Sequence, residues 1–287
     1  MNAGRFETQK ELTFKHAAAR RVVVWLPPNY DLGAFKNTRH PVLYMHDGQN
    51  LFDPATATQG QPWAVDKKIA ALSLANKINP PIVVGIDNTA LRSREYGPAA
   101  AFSKLSEAAI AAGNFNEAPL LSDGYLNFIV HELKPLIDLR YRTNSNAANT
   151  VIMGASMGGV ISLYGLVRFP DIFGAAGCMS THWPCSTMPE LMRLPVPAAG
   201  FEITNSFINW VEENLPKAGR HKLYFDHGTV NLEALYPPHQ CRIDGIVRAK
   251  GYRSNCDWIT QIELGADHDE TAWRGRVDVP LQLFFKP

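Results

Sequence analysis

Short apolar runs alternate along the chain with longer stretches of helical periodicity. RRVVVWLPP (20–28), HPVLYMHDG (40–48) and PPIVVGIDN (80–88) are β-branched runs of strand length. NTVIMG (149–154), FGAAGCMS (173–180), KLYFDHG (222–228) and WITQIELG (258–265) continue the series. Between them, the spacing predicts helices near 63–75, over 123–139 with a bend at Pro135, over 158–169 and near 238–250. Strands alternating with helices imply βαβ units and a mostly parallel sheet with helices on both faces.

Two stretches break this rhythm. Residues 89–122 are rich in Ala, Ser, Asn and Pro, and 182–205 hold four prolines around HWPCSTMPELMRLPVP. Both follow strand ends, where long connections of an α/β sheet form the active-site rim, so they are expected to flank the pocket. No internal repeat, low-complexity tract or linker divides the 287 residues, which suit one large domain.

Composition narrows the class. Hydrophobic residues make up 46% and charged residues 19%, as in ordinary globular proteins. A net charge of +1 gives no strong field for nucleic acid or an anionic membrane, and neither partner is expected. No apolar stretch reaches the ~18 residues needed to span a bilayer. The first residues mix charges and lack the apolar run of a secretory signal. Cys178, Cys185, Cys241 and Cys256 are too sparse for a disulfide scaffold, so reduced thiols and a cytoplasmic location are the expectation.

The chemistry begins at Gly154-Ala155-Ser156-Met157-Gly158, a GxSxG pattern between a β-branched strand and a helix. That is the context of a nucleophile elbow, whose sharp turn demands small residues two before and two after the serine. Gly159 lets the helix pack close to the sheet, and the helix dipole points at an oxyanion forming near Ser156. A serine hydroxyl needs a base, and the base an orienting carboxylate, in the chain order Ser, acid, His. Of the five histidines after Ser156, only His268 follows the last predicted strand. Three carboxylates, Asp226, Glu233 and Asp244, lie near the loop after KLYFD, and Glu233 has the freest position. The oxyanion hole needs the amide after the nucleophile, Met157, and one from the early loop HDGQN, where Gln49 is the first choice and Gly48 the second.

At these residues the sequence resembles the putative esterase family, the esterase D-like group of α/β-hydrolases, from about Arg20 to Phe285. The resemblance rests on MHDGQNLFD (45–53), WAVDKKI (63–69), IVVGIDN with REYGPA (82–98), GASMGG (154–159), FDHGTVNLEALY (225–236) and GADHDETAWRGR (265–276). The family carries an aspartate where this chain has Glu233, so the resemblance implies Glu233 as an acid one methylene longer. It also implies His268 as base, the residue after Gly48 as oxyanion donor, and the α/β-hydrolase fold.

The expected function is a serine carboxylic-ester hydrolase working through an acyl-enzyme, on short-chain acyl or carbohydrate-linked esters of small molecules. Trp183, Tyr96 and Phe102 are candidates for an aromatic substrate wall. No HExxH, CxxC or P-loop is present, so neither metal nor organic cofactor is expected. A siderophore or thioester hydrolase is the alternative, with Arg92, Arg94, Arg274 and Arg276 as candidates for recognising an anionic substrate. A non-catalytic binding module is the alternative of another class.

Overall fold

The computed structural model describes residues 4–12, 14–113, 115, 119–185 and 198–287. Among them, one sheet holds β1 (Arg5–Leu12), β2 (Arg20–Leu26), β3 (Val42–His46), β4 (Ile82–Ile86), β5 (Thr150–Ala155), β6 (Ala175–Met179), β7 (Lys222–His227) and β8 (Trp258–Ile262). The spatial order is β1-β2-β4-β3-β5-β6-β7-β8. The β1–β2 and β2–β4 pairs are antiparallel, and every pair from β4 to β8 is parallel. This is the α/β-hydrolase fold.

Helices cover both faces. They are α1 (Val65–Leu74), α2 (Arg92–Tyr96), α3 (Glu107–Ala112), α4 (Ser122–Phe128), α5 (Lys134–Arg140), α6 (Met157–Arg168), α7 (Ala198–Asn214), α8 (Pro237–Ala249), α9 (Glu270–Arg276) and α10 (Asp278–Phe284). The two-residue period of the strands divides the core. Val24, Tyr44, Val84 and Ile152 join Leu163 and Leu166 of α6 on one face. Their neighbours Trp25, Leu43, Val83 and Val151 join Ile69 of α1 and Leu281 of α10 on the other. With both faces covered, β3 to β6 are buried along their whole length, which explains their unbroken apolar runs.

The structure departs from the sequence expectation: α2 and α3 lie within 89–122, expected to be a rim loop, α9 and α10 follow the last predicted strand, and three further features differ. β1 is an added antiparallel edge strand, whose RFETQKEL reads as polar because an edge strand buries little. α7 begins inside the segment expected to be a rim loop, and residues 186–197 of that segment lie outside the described residues. The helix expected over 123–139 forms as α4 and α5 around a wider π turn, Ile129–Leu133. Pro135 lacks the amide that would bond the carbonyl one turn back, so the widened turn lies just before it.

Candidate active site

The carboxyl ends of β3, β4, β5, β6, β7 and β8 deliver six loops to one edge of the sheet, where open α/β folds bind ligands. The β5 loop is a single residue. Ser156 has φ 60° and ψ −125°, a conformation L-residues avoid, and α6 starts immediately after it. Such strain costs on the order of 1–3 kcal/mol and persists where the surroundings over-determine the turn. The surroundings do so here: the Ser156 amide bonds Met179 O at 3.0 Å, and the amides of Gly159 and His182 bond Ser156 O at 3.0 and 3.2 Å. Gly154 is glycine for want of space, since a Cβ there would lie 3.0 Å from the Gly158 backbone. A Cβ at Gly159 would lie 2.8 Å from Thr181 Oγ1.

Glu233 sits in a short 3-10 turn after β7 and is fully buried. Its Oε1 lies 2.8 Å from His268 Nδ1, and its Oε2 accepts the Gly228 amide at 2.8 Å. Burial alone would push this carboxyl up. Hydrogen bonds from His268 and Ser180, the nearby imidazole and the Gly228 amide outweigh it and hold the group below the usual glutamate range. The His268 ring meets Trp273 and Tyr236 edge to face, with centroids at 5.1 and 5.8 Å. The other carboxylates are engaged elsewhere. Asp226 pairs with the buried guanidinium of Arg276, and Asp244 accepts from Thr260 and Gln240.

Ser156 and His268 together line two adjoining cavities. The first, about 260 Å³, is the more polar of the two, with Asp47, Gln49, Asn50, Asn88, Arg92 and Glu270 around it beside Trp63 and Trp273. The second, about 330 Å³, is mostly apolar, with Gly113, Phe115, Met157, Cys185 and Leu232 beside His182. Segment 89–122 therefore supplies Arg92 and Ser93 from α2, and Gly113 and Phe115, to the cavity walls.

The HDGQN loop is built by close packing. A Cβ on Gly48 would lie 2.6 Å from the Gly85 carbonyl carbon, so only glycine lets this turn reach β4. Gln49 lines the polar cavity beside Ser156, whereas Gly48 faces a different cavity beyond the loop. The Met157 amide is the first of α6, where no earlier turn provides an acceptor. Asp47, itself left-handed at φ 55°, braces the loop: Arg92 grips its carboxylate with two bonds of 2.8 Å, and Asn88 donates to it at 2.6 Å. Burial raises the Asp47 carboxyl, but Arg92 and Asn88 together hold it below the usual range.

The residues expected to form an aromatic wall stand elsewhere. Trp183 is buried in the core, stacked on Phe207 and donating to Gln240 Oε1 at 3.2 Å, and lines neither cavity. Tyr96 packs behind the loop against His46 and Tyr125. Phe102 is buried and stacks on Phe115 at 5.2 Å, so it backs the wall that Phe115 forms. An aromatic residue in a sequence fits a core as readily as a rim, and these three bury their rings. The arginines suggested for an anionic substrate are also committed in three cases: Arg92 to Asp47, Arg94 to Pro119 O and Arg276 to Asp226. Phe115, His182, Asn88 and Glu270 were not singled out from the sequence. Only the position of Asn88 at the end of IVVGIDN could have pointed to one of them.

Among the described residues, no group of His, Cys, Asp or Glu is arranged to hold a metal ion, and no helix is long and apolar enough to cross a membrane.

The profile of the family described as "Putative esterase" matches residues 17–276. The chain is 29% identical over 170 residues to the "Uncharacterized protein YbbA" of Bacillus subtilis, covering 58% of this chain and 59% of that one. It is 28% identical over 173 residues to an endo-1,4-beta-xylanase/feruloyl esterase of Xylanibacter ruminicola, covering 60% of this chain and 20% of that one. The match thus spans about three fifths of the first relative and one fifth of the second. A solved ferulic acid esterase superposes with a TM-score of 0.66 at 20% identity, covering 98% of both chains.

Proposed function

The chain belongs to the putative esterase family, and from that premise we propose that it is a carboxylesterase-type hydrolase working through an acyl-enzyme on Ser156. His268 takes the proton from the Ser156 hydroxyl as it attacks the ester carbonyl, and Glu233 orients and stabilises the imidazolium that forms. The amides of Met157 and Gln49 hold the oxyanion. His268 then gives its proton to the leaving alcohol, and water repeats the sequence to release the acid. The observation that carries this reading is the 2.8 Å Glu233–His268 hydrogen bond beside a strained Ser156 that lines the same two cavities as His268.

The two cavities support a division of the substrate. The apolar one, with Phe115, Met157 and Leu232, takes the acyl group, and the polar one takes a hydroxylated alcohol. The substrates are therefore short-chain or aryl acyl esters of carbohydrate-type alcohols, a reading in keeping with the feruloyl esterase among the relatives. The committed state of Arg92, Arg94 and Arg276 argues against anionic recognition by these residues.

The test is a panel of acetyl and feruloyl esters, with Phe115→Ala and Trp183→Ala assayed alongside the native enzyme. Losing the Phe115 ring removes about 1–2 kcal/mol of apolar contact with an aryl group, so feruloyl over acetyl kcat/KM should fall roughly tenfold. Trp183→Ala opens a core cavity and should lower stability by about 3–5 kcal/mol with the selectivity ratio unchanged. An unchanged ratio in Phe115→Ala, or a shifted one in Trp183→Ala, would contradict the assignment of the acyl cavity.

A further inference from the structure

We infer that Glu270 selects the alcohol half of the substrate: its carboxylate accepts a hydrogen bond from a hydroxyl of the leaving group and keeps anionic alcohols out. This rests on the ester hydrolysis and the division of cavities proposed above, and it names the residue that reads the polar cavity.

Glu270 opens α9 shortly after His268 and lines the polar cavity beside Ser156. Its Oε1 accepts from Asn50 Nδ2 at 3.0 Å. The direction of that bond is fixed, because Asn50 Oδ1 accepts from both the amide and the hydroxyl of Thr58, at 2.9 and 3.1 Å. Asn50 is itself buried, and its backbone carbonyl takes the Trp63 amide at 2.9 Å. One oxygen of Glu270 is thus held by a side chain that cannot turn away. The other, Oε2, receives no hydrogen bond from another residue among those described. A half-buried carboxylate oxygen beside a cavity needs a donor, and a substrate hydroxyl is one.

The rest of the wall leaves this task to Glu270. Asn88 donates to Asp47 at 2.6 Å, and Gln49 Oε1 accepts the Asn88 amide at 3.2 Å. The Trp273 indole nitrogen is spent on the Ser180 hydroxyl at 2.9 Å. The rings of Trp63 and Trp273, with centroids 5.6 Å apart, offer apolar faces to the carbon skeleton of a polyol. Charge points the same way. Arg92 answers Asp47 with two bonds of 2.8 Å, so that pair adds no net charge to the cavity. Asp47 and Glu233 are held below the usual carboxylate range by their partners. Glu270 is raised instead, by burial first and then by the carboxylates of Asp269 and Asp47, and its own amide and the His268 ring offset only part of this. The cavity therefore presents one carboxylate without a cation to answer it. An anionic group on the alcohol would meet that charge, whereas a hydroxyl would satisfy it.

The test is kcat/KM of the native enzyme, Glu270→Gln and Glu270→Asp on three acetates of equal size, glyceryl, isopentyl and carboxyethyl. Glutamine keeps the shape and the bond from Asn50 but removes the charge. In Glu270→Gln the carboxyethyl-to-isopentyl ratio should rise on the order of ten- to a hundredfold, as the like charge is lost. The glyceryl-to-isopentyl ratio should fall about three- to tenfold, as a charged acceptor becomes a neutral one. Glu270→Asp keeps the charge and should still reject the carboxyethyl ester, while its shorter reach weakens the preference for glyceryl. An equal change on all three esters in Glu270→Gln would show that Glu270 acts on the fold or on His268, and would overturn the role while leaving the triad intact. So would a Glu270→Asp enzyme that accepts the carboxyethyl ester as Glu270→Gln does. Native turnover of these esters by Ser156→Ala would remove the esterase mechanism, and this role with it.

Discussion

His46 ends β3 beneath the HDGQN loop, and it is almost wholly buried with its Nδ1 2.8 Å from the Tyr125 hydroxyl. Burial drives its imidazole down to about 3, so the folded protein holds it neutral. An unfolded histidine titrates near 6.5, so the unfolded chain binds the proton first as pH falls. The contribution of His46 is therefore fully present above about pH 6.5 and lost as pH falls toward 3. Between pH 7 and 5 this one group should remove about 2 kcal/mol. Urea unfolding of the native protein and of His46→Gln checks this, since glutamine does not titrate. The variant should lose that part of the slope, and parallel pH profiles would contradict the assignment. At this scale, chain order pointed to Ser156 and His268 because few residues of the right type follow the right strands. Glu233, Asp226 and Asp244 differ only in burial and partners, and a sequence displays neither.

At the scale of elements, the strand-to-turn junctions at Gly48 and Ser156 are packed against backbone. Alanine at Gly48 would place a methyl 2.6 Å from the Gly85 carbonyl carbon and 2.7 Å from the Ile86 amide, atoms that cannot rotate away. Gly48→Ala should therefore cost about 1–3 kcal/mol or more and displace the Gln49 amide, lowering kcat more than KM is raised. Chemical denaturation and steady-state kinetics on one preparation check this. A variant of native stability and turnover would remove the close-packing argument. The parallel strands were legible because burial on two faces leaves an uninterrupted apolar run. β1 was not, because an edge strand alternates and carries charge. α7 was missed because the prolines upstream of Ala198 suggested a loop for the whole segment, although Pro stops a helix only from its own position backward. The helices after His268, α9 (ETAWRGR) and α10 (DVPLQLF), have 7 residues each, too few to display helical periodicity in the sequence.

At the scale of the molecule, the sheet gathers loops from positions 47, 88, 156, 180, 233 and 268 at one edge, and the two cavities open where they meet. The apolar and polar walls come from segments distant in sequence, so substrate selection could not be read from any one motif. Trp183 illustrates the difficulty: it follows the right strand, yet it points into the core. The chemistry proposed for this edge reduces to one claim, that Ser156 is an activated nucleophile. The most direct measurement is mass mapping of the protein after reaction with a fluorophosphonate, with ester hydrolysis followed in the same sample. One adduct per chain on the peptide carrying Ser156 is expected, with activity lost in proportion to labelling. Ser156→Ala should take up no label, and its turnover should fall on the order of 10³-fold or more. An adduct at another residue, or near-native hydrolysis by Ser156→Ala, would contradict the account.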